Sequence, residues 1–108
     1  MPFKNRKIVC LCGSTRYYEE FMRVNHYETR QGNIVLTVGS FGNRPELPWM
    51  SVRLTDADKV SLDALHKDKI RMCDEVVVIG AHRGESLKGE LELANELRKP
   101  IRYEAQHA

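Results

Sequence analysis

Residues 7–12, KIVCLC, decide the fold, because they form a continuous apolar run that ends in the small-residue turn GST at 13–15. A strand covered on both faces has such an unbroken run, whereas a strand with one face in water alternates apolar and polar residues. We therefore predict a buried strand of a parallel sheet. It is followed by a helix that extends to about Gln31, with Ser14 or Thr15 as its cap.

The rest of the chain repeats this alternation of strand and helix. The other predicted strands are 33–38, 75–79 and 101–103, and the other predicted helices are 55–73, capped by Thr55, and 86–98, capped by Ser86. Such alternation implies a parallel sheet with right-handed crossovers. We predict one α/β domain over residues 1–108, a small doubly wound, flavodoxin- or Rossmann-like parallel sheet of four to five strands with flanking helices.

Composition excludes several classes of partner. The formal charge of +2 is too small to favour a nucleic acid polymer or a charged membrane surface. No apolar run approaches the roughly 20 residues that cross a bilayer. Residues 1–7 are basic but lack the apolar stretch of a signal peptide, so we expect a cytoplasmic protein.

The cysteines favour a structural interpretation. Cys10 and Cys12 point the same way on the first strand, but their spacing is not typical of a metal site, and the four histidines show no ligand pattern beside them. We expect these two residues and Cys73 to be buried reduced thiols, and no metal or organic cofactor. His66 shows no partner and is expected to be structural or exposed.

The predicted topology indicates where a ligand would bind. In open parallel sheets, ligands bind beyond the carboxyl ends of the strands. This places three segments together, at 13–16, 39–44 and 80–90.

One carboxylate in the last of these segments lies on the apolar side of its helix. Successive residues turn by about 100°, which gives an apolar stripe facing the sheet. The stripe consists of Leu87, Leu91, Ala94 and Leu97. Glu90 falls inside this arc. Removing an ionised carboxylate from water costs several kcal/mol unless the charge is paired. Glu90 either lies at the edge of the stripe or completes a cap with Ser86, or it is a catalytic carboxylate that faces the cleft.

Three motifs resemble those of one enzyme superfamily. Residues 12–16 (CGSTR) resemble the C-G-S-x-R turn of deoxynucleoside monophosphate N-glycosidases. Residues 86–101 (SLKGELELANELRKPI) and 68–79 (DKIRMCDEVVVI) resemble two further signatures of the nucleoside 2-deoxyribosyltransferase-like superfamily. The resemblance covers nearly the whole chain. It departs at Gly84, where the transferases often carry a second aspartate.

The resemblance implies a set of roles. Glu90 would be the nucleophile that attacks C1′ of the sugar, and Asp68 the acid or base that helps the nucleobase leave. The residues implied to bind substrate or its phosphate are Gly13, Ser14, Thr15, Arg16, Ser86 and Gly89. Asp74 is a competing acid, although its place at the start of a strand favours a structural cap.

The expected ligand is a nucleoside or its 5′-monophosphate, and the narrower expectation is hydrolysis of the monophosphate because of Arg16. Arg16 could instead be a solvated arginine. Deoxyribosyl transfer, a non-catalytic nucleotide sensor and a flavodoxin-like interaction domain are the alternatives. The aromatic candidates for stacking on a base are Tyr17, Tyr18, Phe41 and Trp49. The thinly covered sheet predicts a homodimer.

Overall fold

The structure, a computed structural model, describes residues 5–42, 44–50 and 53–104. The strands are β1 (Ile8–Gly13), β2 (Ile34–Leu36), β3 (Glu75–Ile79) and β4 (Ile101–Tyr103). The helices are α1 (Tyr18–Arg30), α2 (Asp56–Met72) and α3 (Glu85–Glu96), and a 3₁₀ turn, Thr15–Tyr17, precedes α1. The predicted order of strands and helices is confirmed, with shorter bounds for the second strand.

The four strands form one parallel sheet in the order β2-β1-β3-β4. The two central strands carry the unbroken apolar runs, because both of their faces are covered. The chain leaves β1 in one direction to form β2 and returns on its other side to form β3. The predicted doubly wound α/β fold is therefore confirmed, and the carboxyl ends of β1 and β3 form its switch point.

The helices cover the sheet in two unequal layers. α1 packs on one face, over a core of Val9, Leu11, Phe21, Val24, Phe41, Val77 and Ile79. α2 and α3 cover the other face, over Cys10, Cys12, Ile70, Cys73, Val76, Val78, Leu87 and Ala94. All three cysteines are free and buried, as predicted. Among the described helices, none combines the length and the apolarity that crossing a bilayer requires.

The helix starts agree with the sequence at α2, where Thr55 forms a capping box with Asp58. The prediction that Ser14 or Thr15 caps the first helix is not met at α1, whose cap residue, Tyr17, makes no side-chain bond to the helix. Ser14 instead caps the 3₁₀ turn before α1, by accepting a hydrogen bond from the Arg16 amide. The prediction that Ser86 caps α3 is wrong. The helix begins one residue earlier, after Gly84, so Ser86 already lies within the first turn and its hydroxyl is free to bond elsewhere.

Two glycines let the ends of β1 and β3 lie very close to neighbouring segments of the same chain. A Cβ on Gly13, at φ +151°, would lie 2.5 Å from the Ile79 carbonyl oxygen of the adjacent strand. A Cβ on Gly80, at φ +75°, would overlap the ring of Tyr17. The Tyr17 hydroxyl accepts a hydrogen bond from the His82 amide at 3.2 Å. These contacts fix the loops after β1 and β3 side by side.

Candidate functional site

A cleft of about 520 Å³ opens at this switch point, a size typical of small-molecule sites. Its walls come from the segments 13–15, 38–40 and 84–87, which follow β1, β2 and β3, and from the inner side of α2. The convergence of the three loops expected from the topology is therefore confirmed. α2 forms a fourth wall that the sequence did not indicate.

Glu90 lies in this cleft on the second turn of α3, and its residue is 7% exposed. The prediction that its side chain faces inward is confirmed. Its Oε1 is 4.0 Å from Nε2 of His66, and the Cys12 thiol is close enough to influence its pKa. Within residues 5–42, 44–50 and 53–104, no lysine or arginine is in salt-bridge contact with it. Burial raises the pKa of Glu90 above its ordinary value, although His66 and Cys12 oppose that change.

His66 joins the cleft to the two thiols beneath it. Its Nε2 lies 3.4 Å from Sγ of Cys12 and 3.8 Å from Sγ of Cys10. The hydrogen bond between the two thiols lowers the pKa of Cys10 and raises that of Cys12. Burial opposes protonation of His66, but its contacts with Cys10 and Glu90 leave its pKa raised.

The expectation that His66 has no partner is wrong. The sequence did not indicate these two cysteine partners, because they lie on β1, 54 and 56 positions earlier in the chain. The sequence does carry a weak signal. His66 stands one helical turn before the fully buried Ile70, on the stripe of α2 that faces the sheet.

The structure does not bring Asp68 to the cleft. It is exposed on the outer side of α2, where its Oδ1 accepts a hydrogen bond from Arg71 at 2.8 Å. Two residues on a helix differ by about 200°, so Asp68 and the inward His66 face opposite ways. Asp63, almost one turn before His66, lines the cleft instead and accepts a hydrogen bond from the Ser86 hydroxyl at 3.2 Å.

Some of the other predicted site residues line the cleft, and others lie outside it. Those that line the cleft are Gly13, Ser14, Thr15 and Ser86. Arg16 is exposed outside its walls, but its Nε donates to Ser14 Oγ at 3.2 Å, which keeps the guanidinium near the rim. Gly89 lies outside the lining, and a Cβ there would lie 3.7 Å from the Lys67 ammonium nitrogen. Asp74 accepts a hydrogen bond from the Ile8 amide at 2.8 Å, the structural position that its sequence favoured.

Lys69 is a cation in the cleft that the sequence did not indicate. Its Nζ donates to the Thr37 carbonyl at 2.7 Å, which holds the ammonium against the loop after β2. An ammonium has three donors, so this bond leaves donors for an anionic ligand. His82 lies on the opposite side of the same opening.

None of the four aromatic candidates lines the cleft, as far as the described residues show. Phe41 is 5% exposed and packs edge-on against Tyr18 and Phe21 in the layer of α1. Trp49 is 73% exposed and lies outside the lining. The apolar part of the wall comes instead from aliphatic side chains, including Leu62 and Leu65.

No protein-family model matches this chain, and no match was found among curated proteins. Its function must therefore be inferred from the residues of the cleft.

Proposed function

We propose that the chain cleaves the N-glycosidic bond of a nucleoside or its 5′-monophosphate through a covalent glycosyl intermediate on Glu90. The observation that carries this proposal is a buried carboxylate which faces a ligand-sized cleft and makes no ion pair with a described lysine or arginine. A carboxylate so held costs stability, and such groups are concentrated at functional sites. The three motifs that resemble the deoxyribosyltransferase-like superfamily supply the reaction class.

In the proposed first step, a Glu90 oxygen forms a bond to C1′ while the bond from C1′ to the base nitrogen breaks. The electron pair of that bond goes to the base, which takes a proton from an acid. We assign the acid to Asp63, since Asp68 lies outside the cleft. Asp63 lines the same cleft and is close enough to Glu90 for their charges to interact. In the proposed step Asp63 carries the proton and Glu90 is ionised, the division of roles that retaining glycosidases use.

In the second step, water attacks C1′, Asp63 takes the proton from that water, and the bond to Glu90 breaks. An acceptor base in place of water gives transfer instead. The Ser86 hydroxyl holds Asp63 by a hydrogen bond and so fixes the orientation of the acid. Proton transfer of this kind contributes on the order of 10²- to 10⁴-fold to a rate.

A phosphate on the substrate would lie over the loop at 13–15. Ser14 is in the lining, and Arg16 is tied to its hydroxyl. Lys69, which lines the same cleft from α2, adds a second cation. This arrangement supports a 5′-monophosphate over a free nucleoside, because paired cations and hydroxyl groups favour an anion.

The test is a product assay. The chain is incubated with each deoxynucleoside 5′-monophosphate, with and without an acceptor base, and the products are separated by chromatography. We expect free base and sugar phosphate, with Glu90→Gln losing turnover by on the order of 10⁶-fold, as for removal of a nucleophile. Glu92→Gln is the matched control, since Glu92 is exposed on the same helix.

Two other outcomes separate the alternatives. Nucleotide binding by thermal shift that survives Glu90→Gln, with no turnover on any nucleotide, would identify a sensor. No shift with any nucleoside or nucleotide would leave an interaction domain. The proposed homodimer is tested separately by light scattering, and a monomer at all concentrations would reject it.

A further inference from the structure

Two thiols and an imidazole from distant parts of the chain meet below the floor of the cleft. We propose that Cys10, Cys12 and His66 bind a zinc ion, with Glu90 as the fourth ligand. Cys10 and Cys12 come from the same face of β1, His66 from α2, and Glu90 from α3. The site thus joins the sheet to both helices of this layer.

The spacing of the ligand atoms fits a tetrahedral ion. Bonds of about 2.3 Å to sulfur and about 2.0 Å to nitrogen, at a tetrahedral angle, place a sulfur and a nitrogen about 3.5 Å apart. The two distances from His66 Nε2 to the thiol sulfurs are 3.4 and 3.8 Å. All three ligand atoms lie within 4.8 Å of one another.

Glu90 is placed to complete the coordination. Two bonds of about 2.0 to 2.1 Å would set its oxygen roughly 3.4 Å from the imidazole nitrogen. The observed distance is 4.0 Å, so a small rotation of the side chain toward the thiols suffices. Because Glu90 and His66 both line the cleft, the cleft itself gives an ion a route to the thiols.

The donor set selects the class of metal. Two thiolates and an imidazole suit zinc and exclude magnesium and calcium, which prefer oxygen ligands. On binding, each thiol exchanges its proton for a bond to the metal, and two protons leave to solvent. Cys73, the third buried thiol, takes no part, since its Sγ donates to the Ile70 carbonyl.

Zinc at this position has a consequence for the reaction. A Glu90 oxygen that is bonded to the ion cannot attack C1′, so zinc should inhibit turnover reversibly. This inhibition rests on the function proposed above, whereas the binding of zinc does not.

The experiment uses the reduced full chain, stripped of metal by a chelator and titrated with cobalt(II). We expect saturation at one equivalent, with the thiolate-to-metal charge-transfer band and the intense visible bands of a tetrahedral site, and displacement by zinc. Cys10→Ser, Cys12→Ser and His66→Ala should weaken binding by at least tenfold. Cys73→Ser and His26→Ala are the matched controls, and both should bind as the wild type does.

A second measurement needs no variant, so it holds even if a substituted chain fails to fold. X-ray absorption at the zinc edge of the wild type should show two sulfur ligands at about 2.3 Å and two nitrogen or oxygen ligands at about 2.0 to 2.1 Å. Coordination by oxygen and nitrogen alone, or equal loss of binding in Cys73→Ser, would overturn the proposal. Tetrahedral binding without any turnover in the metal-free chain would retain the zinc site and reject the glycosidase.

Discussion

Glu28 and Glu90 are both buried glutamates on helices, yet the structure surrounds them in opposite ways. Glu28, on α1, is 2% exposed, and both of its oxygens are bonded. Its Oε1 accepts from Asn33 at 2.8 Å and its Oε2 from Arg102 at 3.0 Å. Glu90 is 7% exposed and faces an open cleft, and within the described part of the chain its ion-pair contact is with His66, while Asp63 and the Cys12 thiol lie nearby.

The difference shows that burial alone does not identify a reactive carboxylate. A glutamate that is paired with arginine and an amide holds elements together, and Glu28 ties α1 to β4 and to the turn before β2. A glutamate without a strong cation, facing a cavity, is held at a cost to stability by the rest of the fold. Of the two glutamates, only Glu90 lines a cleft that a ligand could occupy.

After Glu90→Gln itself, the largest effect should come from the proposed acid beside Glu90, Asp63. We expect Asp63→Asn to lower turnover by about 10³-fold, because an amide cannot give its proton to the departing base. The assay is initial rate at saturating substrate. Asp68→Asn is the matched control, on the same helix but on its exposed side. If Asp68→Asn lost the activity and Asp63→Asn kept it, the acid would have been assigned to the wrong residue.

The next largest effect should come from removing the arginine that pairs with Glu28. Arg102→Ala removes the cation from both Glu28 and Glu75. Because the Arg102 side chain is 36% exposed, we expect a loss of about 2 kcal/mol in the free energy of unfolding, less than for a fully buried pair. Urea unfolding followed by circular dichroism measures it. Arg71→Ala, which breaks only the exposed pair with Asp68, should cost under about 1 kcal/mol. Equal losses in the two variants would show that Glu28 does not depend on Arg102.

These two glutamates also show how far the sequence could predict the molecule. Unbroken apolar runs predicted the sheet, and the projection of α3 predicted an inward Glu90, because both patterns repeat within a single element. The buried ion pair of Glu28 was not predicted, because its partner Arg102 lies 74 positions away in the chain. The contacts of His66 with the thiols were missed for the same reason.

The reassignment of the proposed acid from Asp68 to Asp63 has a different cause. The motif beginning at Asp68 resembled a family signature, but a resemblance does not fix the rotation of a helix. The rotation of α2 follows from its buried residues, His66 and Ile70, which turn Asp63 inward and Asp68 outward. The helical projection that predicted the inward face of α3 does not identify that of α2, because α2 carries a weak apolar stripe and several exposed aliphatic residues.

The smallest effects should come from making the same substitution, glutamate to glutamine, at each of the two positions. This pair of variants compares the two glutamates most directly. Glu90→Gln removes a buried charge that has no strong partner, so we expect the free energy of unfolding of the metal-free chain to stay the same or to rise by about 1 kcal/mol. Glu28→Gln replaces a charged acceptor of two hydrogen bonds by an amide with one acceptor oxygen, and should lower it by about 2 kcal/mol. Urea unfolding of both variants in chelator measures the pair. A marked loss of stability in Glu90→Gln would mean that this carboxylate is a structural residue after all, and the cleft would then lack a nucleophile.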